Sequence, residues 1–337
     1  MPTRKKVLSR NKKNKTKKKD KRKFTDKGYP YRNHSKKNAL ENFKKFQKAA
    51  KTDIKSRSLL GIITVDYGTE KARVKTKYRN KSLFERWNDP IAKKKMIKFA
   101  KRLKKQDLER TGRISSVSNV ISRAISLSWG TINTMRPAAA LNIYKKYGAT
   151  SVLDFTAGWG SRMVAAAALG VNYIGIDANK NLSPGYKKIL KLIQPHTKSK
   201  IHMTFEKAEN VDFSKLPKYD FVFTSPPYEY LEVYENMANY ENSGKIKQPY
   251  SSKLIKSREA DGFYDKFIIP AIKNAFKYLP EGKYMCLNVP DLMYKKIKNK
   301  WKAADKKEKY FITKRIGSNV PQSSRNDSEY IYCWKKK

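Results

Sequence analysis

The run Tyr219-Asp220-Phe221-Val222-Phe223 is apolar and aromatic, and it ends in Thr224-Ser225-Pro226-Pro227-Tyr228. Proline has no backbone donor and cannot continue a ladder, so the run predicts a buried strand that stops abruptly. Whatever follows lies at the strand's carboxyl end, which is where open parallel α/β sheets bind ligands. The Pro226-Pro227 pair fixes the directions of the Ser225 side chain, the Pro226 carbonyl and the Tyr228 ring. Two hydrogen-bond acceptors beside one flat stacking surface are what an exocyclic aromatic amine requires. The competing reading is a plain strand stop with Tyr228 as a packed aromatic.

Upstream, Ser151-Val152-Leu153-Asp154 reads as a strand, Phe155 to Arg162 as a glycine-containing turn, and Met163 to Leu169 as a small-residue helix. This is the first βα unit of a doubly wound sheet. Asn172-Tyr173-Ile174-Gly175-Ile176-Asp177 reads as a second strand ending in an acid, whose carboxylate can accept from both hydroxyls of a ribose. The turn should therefore hold an adenosine-bearing cofactor. Met163 stands where the dinucleotide fingerprint wants Gly or Ala, which disfavours pyrophosphate, and no Walker phosphate loop occurs.

Taken together these residues resemble the S-adenosylmethionine-dependent amino-methyltransferases of DNA, which methylate N4 of cytosine or N6 of adenine. Asp154-Phe155-Thr156-Ala157-Gly158-Trp159-Gly160 is similar to that family's D-P-F-x-G-x-G motif, with Phe155 and Thr156 departing from Pro and Phe. Met135-Arg136-Pro137 resembles its F-R-P segment, and Ser225-Pro226-Pro227-Tyr228 its catalytic [DNS]-P-P-[YFW] motif. The resemblance covers about residues 131–334. It implies a Rossmann-like class I methyltransferase fold, α/β, with a basic N-terminal extension. It further implies cofactor contacts from Arg136, Asp154, Thr156, Ala157, Gly158, Gly160 and Asp177, and catalysis by Ser225, Pro226, Pro227 and Tyr228. Glu206 and Glu209 are acids in uncertain register after the third strand, and neither is assigned a contact with the cofactor's adenine. Ser before Pro-Pro leans toward cytosine N4 over adenine N6. An RNA base, or a basic nucleic-acid binder with an inactive methyltransferase domain, are the alternatives.

Charge points to the same partner class. Lys and Arg number 77 against 29 Asp and Glu, a formal net charge of +48, which attracts polyanions by a long-range, salt-sensitive force. On charge alone nucleic acid comes first and an anionic membrane second; the resemblance implies nucleic acid, DNA before RNA, with no membrane and no obligate protein partner. Residues 1–58 hold 23 Lys and Arg against Asp20, Asp26, Glu41 and Asp53, and so read as a disordered basic tail that could carry a nuclear address. Residues 59–130 read as a basic, mainly helical accessory region, with a strand at Leu59 to Tyr67 and an amphipathic helix from Ile91 to Leu108. Residues 131–337 form the methyltransferase domain, with a recognition insertion at about 229–261 where aromatics and lysines interleave. A helix from Gly262 to Leu279 and strands at Lys283 to Val289, Tyr310 to Thr313 and Glu329 to Trp334 complete it. His34, His196 and His202 have no metal spacing. Without an apolar run of membrane-spanning length or a secretory signal, and with only Cys286 and Cys333, the expectation is a soluble protein of a reducing compartment, in cytoplasm or nucleus.

Overall fold

Short runs rich in apolar residues, together with the charged edge segment Lys306–Lys309, become the strands of one sheet. The computed structural model describes residues 22–32, 34–77, 81–112, 115–228, 262–309 and 329–337. Its strands are β1 (Ser151–Asp154), β2 (Asn172–Ile176), β3 (Ile201–Thr204), β4 (Phe221–Thr224), β5 (Tyr284–Pro290), β6 (Lys306–Lys309) and β7 (Glu329–Lys335). They lie in the order β3-β2-β1-β4-β5-β7-β6. The first five are parallel, β7 runs antiparallel between β5 and β6, and the strand order reverses between β1 and β4. This is the Rossmann-like class I methyltransferase arrangement expected from the sequence.

The helices are α1 (Lys36–Ala50), α2 (Ile62–Lys75), α3 (Leu83–Asn88), α4 (Pro90–Thr111), α5 (Val117–Ser128), α6 (Pro137–Lys146), α7 (Ser161–Leu169), α8 (Ser183–Ile193), α9 (Ile269–Lys277) and α10 (Asp291–Lys300). Successive strand residues point to opposite faces, and two cores result. Val152, Tyr173, Phe221, Phe223 and Cys286 meet α1, α2, α6, α7 and α8 on one face. Leu153, Ile174, Val222, Met285 and Leu287 meet α9 and α10 on the other. The chain divides into two compact units. One comprises residues 1–30 and 91–130 and contains nearly all of α4 and all of α5; the other comprises residues 31–90 and 131–337 and contains the whole sheet.

Three expectations are corrected. The disordered tail does not extend to residue 58. Ala39, Phe43, Phe46 and Ala50 form an i, i+4, i+7, i+11 stripe that is buried in the first core, and the Ser35 hydroxyl caps α1 by accepting from the Asn38 amide at 3.1 Å. The strand expected at Leu59 to Tyr67 is the start of α2; a short apolar run does not distinguish a strand from a buried helix, and here packing decides. Cys286 and Cys333 face one another across β5 and β7, with Cα atoms 4.1 Å apart, and are joined by a disulfide. That removes the support the two cysteines lent to a reducing compartment. The expected insertion at 229–261 and the strand at Tyr310 to Thr313 lie outside the described residues. Among the described residues no helix is long and apolar enough to cross a membrane.

α2 is fastened to α8 by glycine on both sides. A Cβ on Gly68 would come within 2.5 Å of the Gly185 carbonyl oxygen and 2.4 Å of Ile189 Cγ1. Asp66, two residues earlier and with its side chain 1% exposed, ties Arg32 to the helix at 3.0 Å and pairs with Arg73 at 2.5 Å. Alanine is the better helix former by about 1 kcal/mol, so Gly68→Ala would stabilise an isolated α2. In the protein the backbone clash dominates: Gly68→Ala should cost about 1 to 3 kcal/mol in denaturant unfolding. Gly28→Ala, with nothing within 4 Å of the added Cβ, should be close to neutral.

Candidate active site

The carboxyl ends of β1, β2, β4 and β5 share one edge, and each carries a residue singled out in the sequence or a partner of one. Asp154 closes β1, Asp177 follows β2, and Ser225 follows β4. Because β1 and β4 are neighbours running in the same direction from the point of order reversal, the edge between them is the crevice where doubly wound sheets bind ligands.

Asp154 is fully buried and faces inward. Its Oδ2 accepts from Arg162 Nε at 2.6 Å and from the Tyr173 hydroxyl at 2.5 Å. Its Oδ1 accepts from the Thr224 hydroxyl at 2.8 Å, from Arg162 Nη2 at 3.2 Å and from the Thr156 amide at 3.3 Å. Arg162 also donates to the Thr156 carbonyl. Burial works against the guanidinium charge, but the adjacent Asp154 carboxylate outweighs it and raises the Arg162 pKa. With the Thr224 proton committed to Asp154, the Thr156 hydroxyl donates to Thr224 Oγ1 at 2.5 Å. Asp154 and Thr156, both expected as cofactor contacts, thus turn their side-chain polar atoms to protein partners and set the shape of the turn.

The turn itself bends through Gly158 at φ +63° and Gly160 at φ +89°, which are left-handed conformations costly for any other residue. The added Cβ would meet only ordinary contacts at either position, so φ rather than crowding within the protein demands glycine. Four bonds hold the bend. The Ala157 amide donates to the Ile176 carbonyl at 2.8 Å, and the Gly158 amide to Asp177 Oδ2 at 2.6 Å. Tyr186 donates to the Gly158 carbonyl at 3.0 Å, and Thr69 of α2 to the Trp159 carbonyl at 3.1 Å. Ser161 Oγ, at the start of α7, is buried with no hydrogen-bond partner among the described residues.

Asp177 also accepts from the Asn179 amide at 2.9 Å through Oδ1. Each carboxylate oxygen therefore has one protein donor and a lone pair left over, room for two ligand hydroxyls. Burial disfavours its charge and pushes its pKa up to about 6, although the two amides work in the opposite direction.

Beyond β4, Ser225 is half-buried and Pro226 and Tyr228 are buried. The Ser225 hydroxyl donates to the Asn288 carbonyl at 3.2 Å, and Asn288 Nδ2 donates to Ser225 Oγ at 3.3 Å and to the Tyr228 hydroxyl at 2.9 Å. One Ser225 lone pair is left to accept. Asn288 is 2% exposed and was not singled out in the sequence, although it is the polar residue in the apolar run Tyr284–Pro290, two residues before that strand's end. Arg162 left a comparable trace, as the cation in a helix of small residues. Arg136 stands at the N-cap position of α6 without a side-chain cap and donates to the Arg57 carbonyl, so it fastens the segment before α2. Of the two unassigned acids, Glu206 pairs with Lys180 at 3.6 Å, and Glu209 has a buried Oε2 without a partner among the described residues.

No protein-family model and no curated protein matches the sequence. Solved structures similar to the chain include TehB from Haemophilus influenzae, at 12% identity and TM-score 0.37 over 64% of this chain and 66% of that one. TrmN from Thermus thermophilus is similar at 12% identity and TM-score 0.37, over 66% and 67%. A putative class I S-adenosylmethionine-dependent methyltransferase from Listeria monocytogenes is similar at 13% and 0.39, over 90% and 88%. The chain thus spans about two thirds of the length of TehB and TrmN. At these identities and TM-scores the likeness assigns no residue of this chain a role.

Removing one partner of a buried ion pair leaves the other charge uncompensated, which costs about 3 to 5 kcal/mol. Arg162→Met should lower stability by that amount in denaturant unfolding. Asp154→Asn combined with Arg162→Met should recover a substantial part of it.

Proposed function

We propose that the chain is an S-adenosylmethionine-dependent methyltransferase acting on an exocyclic base amine of DNA, with cytosine N4 favoured over adenine N6. The observation that supports this is the pairing at one sheet edge of Asp177, with lone pairs to spare, and Ser225, Pro226 and Tyr228, on the two sides of the β1–β4 crevice.

The residues present fit such a cofactor. The spare lone pairs of Asp177 suit a ribose diol, the left-handed bend at Gly158 and Gly160 brings backbone to the ligand, and the partnerless Ser161 hydroxyl adds a polar atom at the head of α7. Thr156 and Ala157 complete the proposed set at the same turn, Arg136 joins it from the start of α6, and Asp154 acts there through Arg162 and Thr156. Bound at this edge, S-adenosylmethionine supplies an electrophilic methyl group.

The chain's own task is to make a poor nucleophile reactive. A base amine delocalises its lone pair into the ring. Ser225 Oγ and the Pro226 carbonyl accept its two hydrogens, which favours a localised lone pair on nitrogen. Pro227 holds both acceptors in place. Asn288 commits the Ser225 proton to its own carbonyl and leaves the hydroxyl as an acceptor. Catalysis then comes from orientation in a preorganised polar site. The Tyr228 ring, anchored through its hydroxyl, offers the base a stacking face. Tyr228 is 9% exposed, so what covers it has to shift when a flipped base arrives.

Ser225→Ala and Asn288→Asp should each lower kcat about 10- to 100-fold while leaving cofactor affinity unchanged, because they misplace the amine and not the cofactor. Tritiated methyl transfer to DNA and to RNA, followed by digestion to nucleosides, reads both the polymer and the base. Label in N6-methyladenine alone overturns the cytosine assignment, label in RNA alone overturns DNA, and no transfer to either overturns the enzyme.

Cofactor affinity should also carry the signature of Asp177. With its pKa at about 6, the carboxyl is ionised at pH 7.5 and mostly protonated at pH 5, where it loses the charge that strengthens bonds from ribose hydroxyls. Calorimetry should show affinity about tenfold weaker at pH 5 than at pH 7.5, and Asp177→Asn should be weak and flat across that range.

A further inference from the structure

α4 runs 22 residues from Pro90 to Thr111, and its sequence contains no acid before Asp107. Lys94, Lys95, Lys98, Lys101, Arg102 and Lys105 are all exposed. At about 100° per residue they fall within an arc of roughly 120°, a single face that extends about 16 Å along the helix. Met96 and Ala100, 2% and 0% exposed, point the other way. Lys105 pairs with Glu109 at 3.7 Å, Lys101 lies 5.8 Å from the Phe24 ring, and Arg102 lies 5.5 Å from Phe99. Lys94, Lys95 and Lys98 form no ion pair among the described residues.

This face works against the helix that carries it. The amino end of a helix bears partial positive charge and favours acids, yet the first turn of α4, Pro90 to Lys93, has none, and Lys94 and Lys95 follow it directly. Lys94 and Lys98 are also like charges at i, i+4, as are Lys98 and Arg102, and each such pair repels. A surface serving folding alone would mix the signs. A polyanion laid along the face relieves both repulsions at once.

We infer that this face of α4 is a docking surface for the phosphodiester backbone of duplex DNA, a choice of polymer that rests on the function proposed above. Duplex DNA carries one charge per about 1.7 Å with both strands counted, so about 16 Å of duplex carries roughly nine phosphates, more than the six cations of the stripe. An anionic membrane fits less well. An interfacial helix inserts an apolar face between lipids, and the apolar side of α4 is already buried at Met96 and Ala100.

The test is the full chain carrying Lys94→Glu, Lys95→Glu and Lys98→Glu together, bound without cofactor to a labelled DNA duplex over a salt series. Lys98→Glu would attract Arg102 at i, i+4, while Lys94→Glu and Lys98→Glu together would remain a like-charge pair, so thermal unfolding should change little. The control reverses the exposed Lys191, Lys198 and Lys200, which changes net charge equally. The α4 variant should raise Kd at least tenfold at about 0.15 M salt and reduce the slope of log K against log salt by about 2 to 3; the control should change Kd less than threefold. The corresponding Lys→Gln triple should shift in the same direction by less. Equal losses in variant and control, unchanged DNA binding, loss confined to phosphatidylserine vesicles, or loss confined to duplex RNA would each overturn the inference. Ser225→Ala should leave this binding intact, so absence of methyl transfer with α4-dependent binding preserved defeats the proposed function alone.

Discussion

A single buried carboxylate organises the sheet edge on which everything else depends. Asp154 draws donors from four directions: Arg162 on α7, Tyr173 on β2, Thr224 on β4 and the Thr156 amide in its own turn. A buried ion pair is weak evidence for stability, since desolvation can cancel the attraction. Its geometric effect is clearer. A slip of one residue in β1 would turn Asp154 to the opposite face and leave Arg162 buried without its partner, so the pair admits one register among several that hydrophobic burial alone would tolerate.

Because the donors come from separate elements, the same carboxylate fixes where β1, β2 and β4 end relative to one another. The offset between Asp177 and Ser225 follows from that. Neither residue touches Asp154, yet Asp177 receives the Gly158 amide from the turn that Asp154 shapes, and Ser225 directly follows the Thr224 that Asp154 holds. The polar groups offered to the crevice are arranged by polar groups whose own hydrogen bonds go to protein partners. Asn288 repeats the pattern at β5, where one amide sets both a hydroxyl and an aromatic ring.

Much of this was legible in the sequence because it is local. The proline stop after Phe223, the glycines in left-handed turns and the acid at the end of β2 each obey constraints confined to a few neighbouring residues. The parts that escaped depend on distance. Nothing near Asp154 signals that a carboxylate on β1 will be consumed by an arginine eight residues on and a threonine seventy residues on. The stripe Ala39, Phe43, Phe46 and Ala50 has helical spacing, but the lysines around it dominated the composition and hid it. The run Leu59 to Val65 was ambiguous in principle, and the narrow crossing at Gly68 and Gly185, visible only once both helices exist, is what selects helix.

The participation of α1 and α2 in the sheet's first core has a consequence for how the protein is made. Phe43 and Phe46 pack in one cluster with Tyr144, Val152 and Ala165, which the ribosome reaches about 100 residues later. At roughly 5 to 20 residues per second, those two rings wait several seconds or more for their partners. During synthesis the nascent chain therefore presents an apolar helix face set in a strongly cationic segment.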